Sequence, residues 1–196
     1  DTVLRYNTNA STVKYKDKDI FELWSHFNRV EVSCSIDSWG ERAELLRHGT
    51  DWGRVEQNLK KFRSLEYVDF QYNTVFSVFN YLTLPEFYQY MHDNELLDLN
   101  NDWYHSLYLA AFPHYYCARA LPAAIKQQAA DHIASWNSGA ACVNRLVGEA
   151  VQFAAEQDTW QEQKEQVFHN FERLDSVRGE ELYSVFPELQ QLEKYR

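Results

Sequence analysis

Val30-Glu31-Val32-Ser33-Cys34-Ser35-Ile36-Asp37 puts Val30, Val32, Cys34 and Ile36 on one face and Glu31, Ser33, Ser35 and Asp37 on the other, a period of two. A strand with this alternation covers an apolar core on one side and presents hydroxyls and carboxylates on the other. Upstream, Val3-Leu4-Arg5-Tyr6-Asn7 is a shorter β-type run that ends in the polar group Asn7-Thr8-Asn9. Downstream, Val68 to Val78 alternates Phe70, Tyr72, Thr74, Phe76 and Val78 against Asp69, Gln71, Asn73, Val75 and Ser77, and Leu107 to Ala111 is a weaker fourth strand. Helical patterns fill the gaps. Ile20, Phe21, Leu23, Trp24 and Phe27 follow Asp19 as a cap; Trp52, Val55, Leu59 and Phe62 form one stripe; Pro85 opens a helix that runs to about His92. Strands alternating with helices at roughly 25–40 residue spacing predict βαβ units and a parallel sheet.

The β-type runs stop after about residue 118. Pro122 to Trp136, Ala140 to Phe153 and Trp160 to Leu174 read as helices, and the tail through Phe186-Pro187-Glu188-Leu189 as helical and polar. The expected division is therefore 1–118 for the sheet and 119–196 for a helical extension packed on it. At 196 residues the chain is long enough to bury about 70% of its unfolded surface in one domain. Its 16% aromatic content predicts a substantial core. A formal charge of −10 argues against nucleic acid and anionic membrane, whose recognition needs clustered Lys and Arg. The basic run Lys60-Lys61-Phe62-Arg63 reads as a solvated helix face. Cys34, Cys117 and Cys142 lie far apart, and the histidines form no HxxxH or HExxH pattern, so no metal site is expected. No apolar run approaches the roughly 20 residues that span a bilayer. A cytoplasmic protein is expected.

In parallel α/β folds ligands bind at the carboxyl ends of the strands. Here those ends carry Asn7-Thr8-Asn9, then Ser33-Cys34-Ser35-Ile36-Asp37, then Asn73 with Asn80 beyond it. Asn and Asp after a strand also form turns and helix caps, which is the ordinary alternative. If Val30, Val32, Cys34 and Ile36 face the helices, Ser33, Ser35 and Asp37 point into a barrel interior, where a carboxylate needs a partner. Arg47 serves as that partner in one reading; in the other it is a bidentate donor to a ligand carboxylate.

These residues, in order, resemble radical S-adenosylmethionine (SAM) enzymes of the twitch-domain group. The resemblance rests on Tyr6-Asn7-Thr8-Asn9, Phe27 to Val30, Ser35-Ile36-Asp37, Arg42 to Gly49, Trp52 and Asn58-Leu59. It continues through Thr74 to Asn80, Phe112-Pro113, Leu121-Pro122, Lys126, Leu174-Asp175 with Arg178-Gly179, and Pro187-Glu188-Leu189. The match covers most of the chain. It departs from the group at Ser38, where glycine is usual, and in having neither the cluster motif CxxxCxxC, nor the GGE-type strand, nor auxiliary-cluster cysteines.

The resemblance implies a partial (β/α)6 radical SAM barrel, TIM-like, joined partway through. It implies SAM as the cofactor, and a [4Fe–4S] cluster in a full-length parent only. Ser35 then matches the position that holds the SAM ribose, with Arg47 and Asn9 beside the cofactor. Thr8 and Asn80 lie toward the substrate, where Asp37 orients the loop and Arg47. The substrate would be a small molecule or a peptide, and the isolated chain would not cleave SAM. Two rivals stand beside this reading: a cluster-less half-barrel that holds a peptide or partner, and an ordinary metabolite-binding α/β domain.

Overall fold

The computed structural model describes residues 2–99 and 105–196. Its centre is a four-stranded parallel sheet in sequential order, β1 (Val3–Thr8), β4 (Arg29–Ser35), β5 (Val68–Phe76) and β6 (His105–Leu109). The register pairs Arg5 with Glu31, Glu31 with Asp69, Ser35 with Asn73, and Val75 with Tyr108. A two-stranded hairpin, β2 (Lys14–Tyr15) and β3 (Lys18–Asp19), follows β1. The alternation expected of the second strand holds: Val30, Val32, Cys34 and Ile36 are buried, while Glu31, Ser33, Ser35 and Asp37 are only half-buried. On β5 the same division separates Phe70, Tyr72, Thr74 and Phe76 from Asp69, Gln71, Asn73 and Val75. Parallel sheets covered on both sides are built from near-continuous apolar strands. These strands are not of that kind; helices cover one face and polar side chains occupy the other.

The helices on the covered face form for local reasons. Asp19 Oδ1 accepts a hydrogen bond from Phe21 N at 2.9 Å and caps α1 (Ile20–Trp24). Asp51 caps α3 (Trp52–Arg63) through Arg54 N at 3.0 Å. In α3 the buried stripe Trp52, Val55, Leu59, Phe62 is the apolar face, and Lys60, Lys61 and Arg63 complement the dipole at its end. Pro85 sits in the first turn of α4 (Leu84–Asp93), where its missing N–H costs no helical bond. A further helix, α2 (Gly40–Leu46), has only seven residues and no side-chain capping bond.

The carboxyl-terminal half is α5 (Ala123–Ser135), α6 (Ala141–Ala155), α7 (Trp160–Arg178), the single turn α8 (Leu182–Val185), and a 3-10 segment Pro187–Tyr195. It shares one continuous apolar cluster with the sheet. Phe79, just beyond β5, meets Tyr116, Phe171 and Phe186 at ring distances of 5.2, 5.6 and 5.8 Å. The tail expected to be polar docks instead, with Phe186, Leu189 and Leu192 fully buried. Gly179, at φ 65°, supplies the left-handed residue that ends α7 and turns the chain back. Lys126 and Arg119 pin the turn between α6 and α7: Lys126 Nζ donates to Gln157 O at 2.8 Å, and Arg119 Nε to Phe153 O at 2.9 Å. Among the described residues no helix is long and apolar enough to cross a membrane.

Candidate functional site

The carboxyl ends of β1 and β4 bring most of the expected residues together. At the end of β1, Thr8 Oγ1 accepts from Ala10 N at 3.0 Å and Asn9 Oδ1 from Ser11 N at 3.1 Å, so both oxygens shape the turn. Ala10 takes a left-handed φ of 59° while fully buried. Such a conformation costs a residue with a Cβ about 1–2 kcal/mol. Asn58 of α3 holds it by donating from Nδ2 to Ala10 O at 2.7 Å.

At the end of β4, Asp37 has a partner. Its Oδ2 accepts from Arg47 Nε at 3.0 Å and Nη2 at 2.6 Å, and its Oδ1 from Val75 N at 2.9 Å. Of the two roles open to Arg47, pairing with Asp37 is thus realised through two of its nitrogens. The pair is partly shielded, the side chains being 17% and 31% exposed. Asn80 is 1% exposed, with every polar atom engaged. Its Nδ2 donates to Asp37 O at 3.0 Å and Val75 O at 2.8 Å, and its Oδ1 accepts from Ser77 N at 2.9 Å. Asn80 therefore splices the ends of β4 and β5, and its amide is committed to that splice. Ser38 needs no glycine, because the left-handed residue of this loop is Gly40, at φ 56°.

Asn9, Asp37, Ser38, Arg47 and Thr50 border a hollow of about 10 Å³, room for one water at most. Nothing larger fits in that hollow, whereas the sheet's open face beside these residues is accessible. That face is a polar ladder. Its first row is an ion-pair chain: Arg5 Nε to Glu31 at 2.8 Å, Arg29 Nη2 to Glu31 at 3.6 Å, and Arg29 Nε to Asp69 at 2.6 Å. Next come Asn7, Ser33 and Gln71, where Gln71 Nε2 donates to Ser33 Oγ at 2.9 Å. These two rows line an open groove of about 640 Å³ that runs across β1, β4 and β5. Nearer the carboxyl ends stand Ser35, Asn73 and Ser106, then Asp37, Val75 and Tyr108. Among the described residues the Ser35 hydroxyl has no hydrogen-bond partner, and Asn73 Oδ1 is shielded from solvent with none.

The arrangement presents hydrogen-bonding groups to the open face. Cys34 lies on the covered face, where burial pushes its thiol up to about 12, so it stays protonated. No group of three or more His, Cys, Asp or Glu side chains among the described residues would hold a metal ion. Sequence reasoning singled out Ser35, Asp37 and Arg47, which cluster at the rim. It named Asn73 among the polar residues at the strand ends without giving it a role of its own. Asn58 entered only through the resemblance, and its bond to Ala10, 48 residues away, was not anticipated. Comparison with protein-family models, with curated proteins and with solved structures finds no match, so these side chains and their geometry are the ground for any functional reading.

Proposed function

We propose that this chain holds the nucleoside of SAM, and the substrate beside it, as one section of a radical SAM (β/α)6 barrel whose interior is the open sheet face. One observation carries the reading: among the described residues, four parallel strands in sequential order have helices on one side and a mainly polar ladder, interrupted at Val75 and Tyr108, on the other. A parallel sheet is stable with such a face when the face is an interior shared with a ligand or further strands.

The residues fit the organic part of the cofactor. Ser35 offers a hydroxyl free for a ribose, and Arg47 keeps Nη1 outside its pair with Asp37, available to a carboxylate. Asp37 fixes the direction of that guanidinium. Asn73 offers an acceptor one strand over, toward the substrate. Thr8 and Asn9 shape the rim through their turn. The chemistry SAM supplies when bound beside a reduced [4Fe–4S] cluster is a 5′-deoxyadenosyl radical that removes a hydrogen atom from substrate. The described residues do not fit the cluster: Cys34, Cys117 and Cys142 are separate, and two of them are buried. No step is assigned to this chain through it.

Calorimetric titration with S-adenosylhomocysteine tests the reading. Saturable binding is expected, weakened about tenfold, or 1.4 kcal/mol, in Ser35→Ala. No heat at millimolar ligand, or equal affinity in Ser35→Ala, overturns it. Iron–sulfur reconstitution of the chain is expected to leave it colourless. The groove across β1, β4 and β5 supports a second reading, a cluster-less half-barrel that holds a peptide or partner on this face. Binding of peptide in place of nucleoside would favour it.

A further inference from the structure

We propose that the carboxyl-terminal segment is a positioning strap for Arg47, acting through Arg178 and Glu188, which clamp helix α2 at its two ends. The proposal rests on the preceding reading only for its ligand arm.

Helix α2 cannot hold itself. Seven residues barely exceed the costly first turn of a helix. Trp39 at its amino end makes no capping bond, and its last turn has no basic side chain to meet the free carbonyls. The missing support comes from residues more than 130 positions away. Arg42, in the first turn, pairs with Glu188 through Nη1 and Nη2, one bond being Nη2 to Oε2 at 2.9 Å. Both side chains are 17% exposed. The Arg42 guanidinium also lies between the Trp39 ring at 5.4 Å and the Phe186 ring at 4.8 Å. Trp39 in turn stacks on Tyr90 at 5.7 Å. At the other end Arg178 Nη1 donates to Leu45 O, supplying the cation that the last turn lacks.

Arg47 is the next residue but one, at the C-cap of α2, and its guanidinium reaches back to Asp37. Among the described residues its side-chain hydrogen bonds and ion pair go to Asp37 and none to the tail, so the tail acts on it by fixing α2. The turn that delivers the strap is itself built for the purpose: Gly179 takes the left-handed conformation, and Asp175 Oδ1 accepts from Leu182 N at 2.8 Å to start α8, which packs on α2. This accounts for Leu174-Asp175, Arg178-Gly179 and Pro187-Glu188-Leu189, residues for which the ligand site itself has no use.

Hydrogen exchange followed by mass spectrometry on the full chain tests the strap. In Glu188→Ala and in Arg178→Met, amides of residues 38–50 are expected to exchange about tenfold faster or more, while α5 keeps its protection. Arg178→Lys is expected to restore most of the protection, because one donor is enough for Leu45 O. Arg42→Glu combined with Glu188→Arg is expected to restore part of it. Glu188→Gln, which keeps the shape and loses the charge, serves if the alanine variant does not fold. Unchanged exchange at 38–50, or acceleration spread equally over α5, overturns the proposal. In the ligand arm, Glu188→Ala is expected to weaken S-adenosylhomocysteine binding about tenfold. If the unaltered chain binds no nucleoside, the functional reading fails while the exchange result still decides the strap.

Discussion

The two faces of the central sheet are made by the same strands, yet they obey different rules. On the covered face even the polar atoms are consumed by the fold: Tyr72 OH donates to Leu96 O at 2.5 Å and Thr74 Oγ1 to Ile36 O at 2.8 Å. On the open face, one residue along, the Ser35 hydroxyl has no partner among the described residues and Asn73 Oδ1 is shielded without one. Leaving a shielded polar atom unbonded costs roughly 1–3 kcal/mol. On the proposed reading, a fold that satisfies one side of a strand so fully and leaves the other short divides stability from recognition between the two sides.

Substitutions that separate the faces test this division, and the largest effect belongs to the covered one. Phe76 is fully buried and meets Tyr81 edge-to-face at 4.9 Å. Phe76→Ala is expected to lower unfolding free energy by about 3–5 kcal/mol, measured by urea denaturation. Asn80→Ala comes next, at about 2–3 kcal/mol, because three hydrogen bonds at a buried splice are lost together. A stability loss below about 0.5 kcal/mol there would mean that the splice carries little, and would reopen a ligand role for Asn80.

A smaller effect separates the faces by pH. Burial raises Cys34 from 9.0 to about 12 and Tyr81 from 10.0 to about 12. The folded state keeps protons that the unfolded chain releases, so this stabilisation is complete below about pH 9 and fades as pH rises toward 12. Denaturation midpoints are expected to fall between about pH 9 and pH 12, with a shallower slope in Cys34→Ala. An equal slope would show that the tyrosines, with Tyr72 and Tyr88 raised in the same direction, account for the effect.

Legibility follows range. The parallel sheet was readable because β4 and β5 alternate cleanly, and Asp19, Asp51 and the Trp52–Phe62 stripe act within their own helices. Helix α2 was not anticipated as a helix, since its support comes from Arg178 and Glu188, and no local pattern contains a partner 146 residues away. The hairpin Lys14–Asp19 was missed because its exposed, polar strands have no apolar alternation. At the site, spacing offered Asp37–Arg47 as one of two options and the fold realises it. Thr8, Asn9 and Asn80 carry the turn and splice duties that their residue types commonly perform. Which open-face groups stay unpaired depends on every neighbouring side chain, and a sequence shows only some of those.

The smallest stability effect is the most informative. Ser35 loses no protein hydrogen bond when truncated, and its side chain stands over the open face. Ser35→Ala is therefore expected to change unfolding free energy by less than about 0.5 kcal/mol while nucleoside affinity falls about tenfold. A core residue would move both quantities together; a surface bystander would move neither. Only a group that the fold leaves for a ligand moves affinity alone, so plotting one against the other for Ser35→Ala, Asn73→Ala and Phe76→Ala assigns each residue to its face. If Ser35→Ala falls beside Phe76→Ala, the open face is a structural surface and the division between the two sides of the sheet is lost.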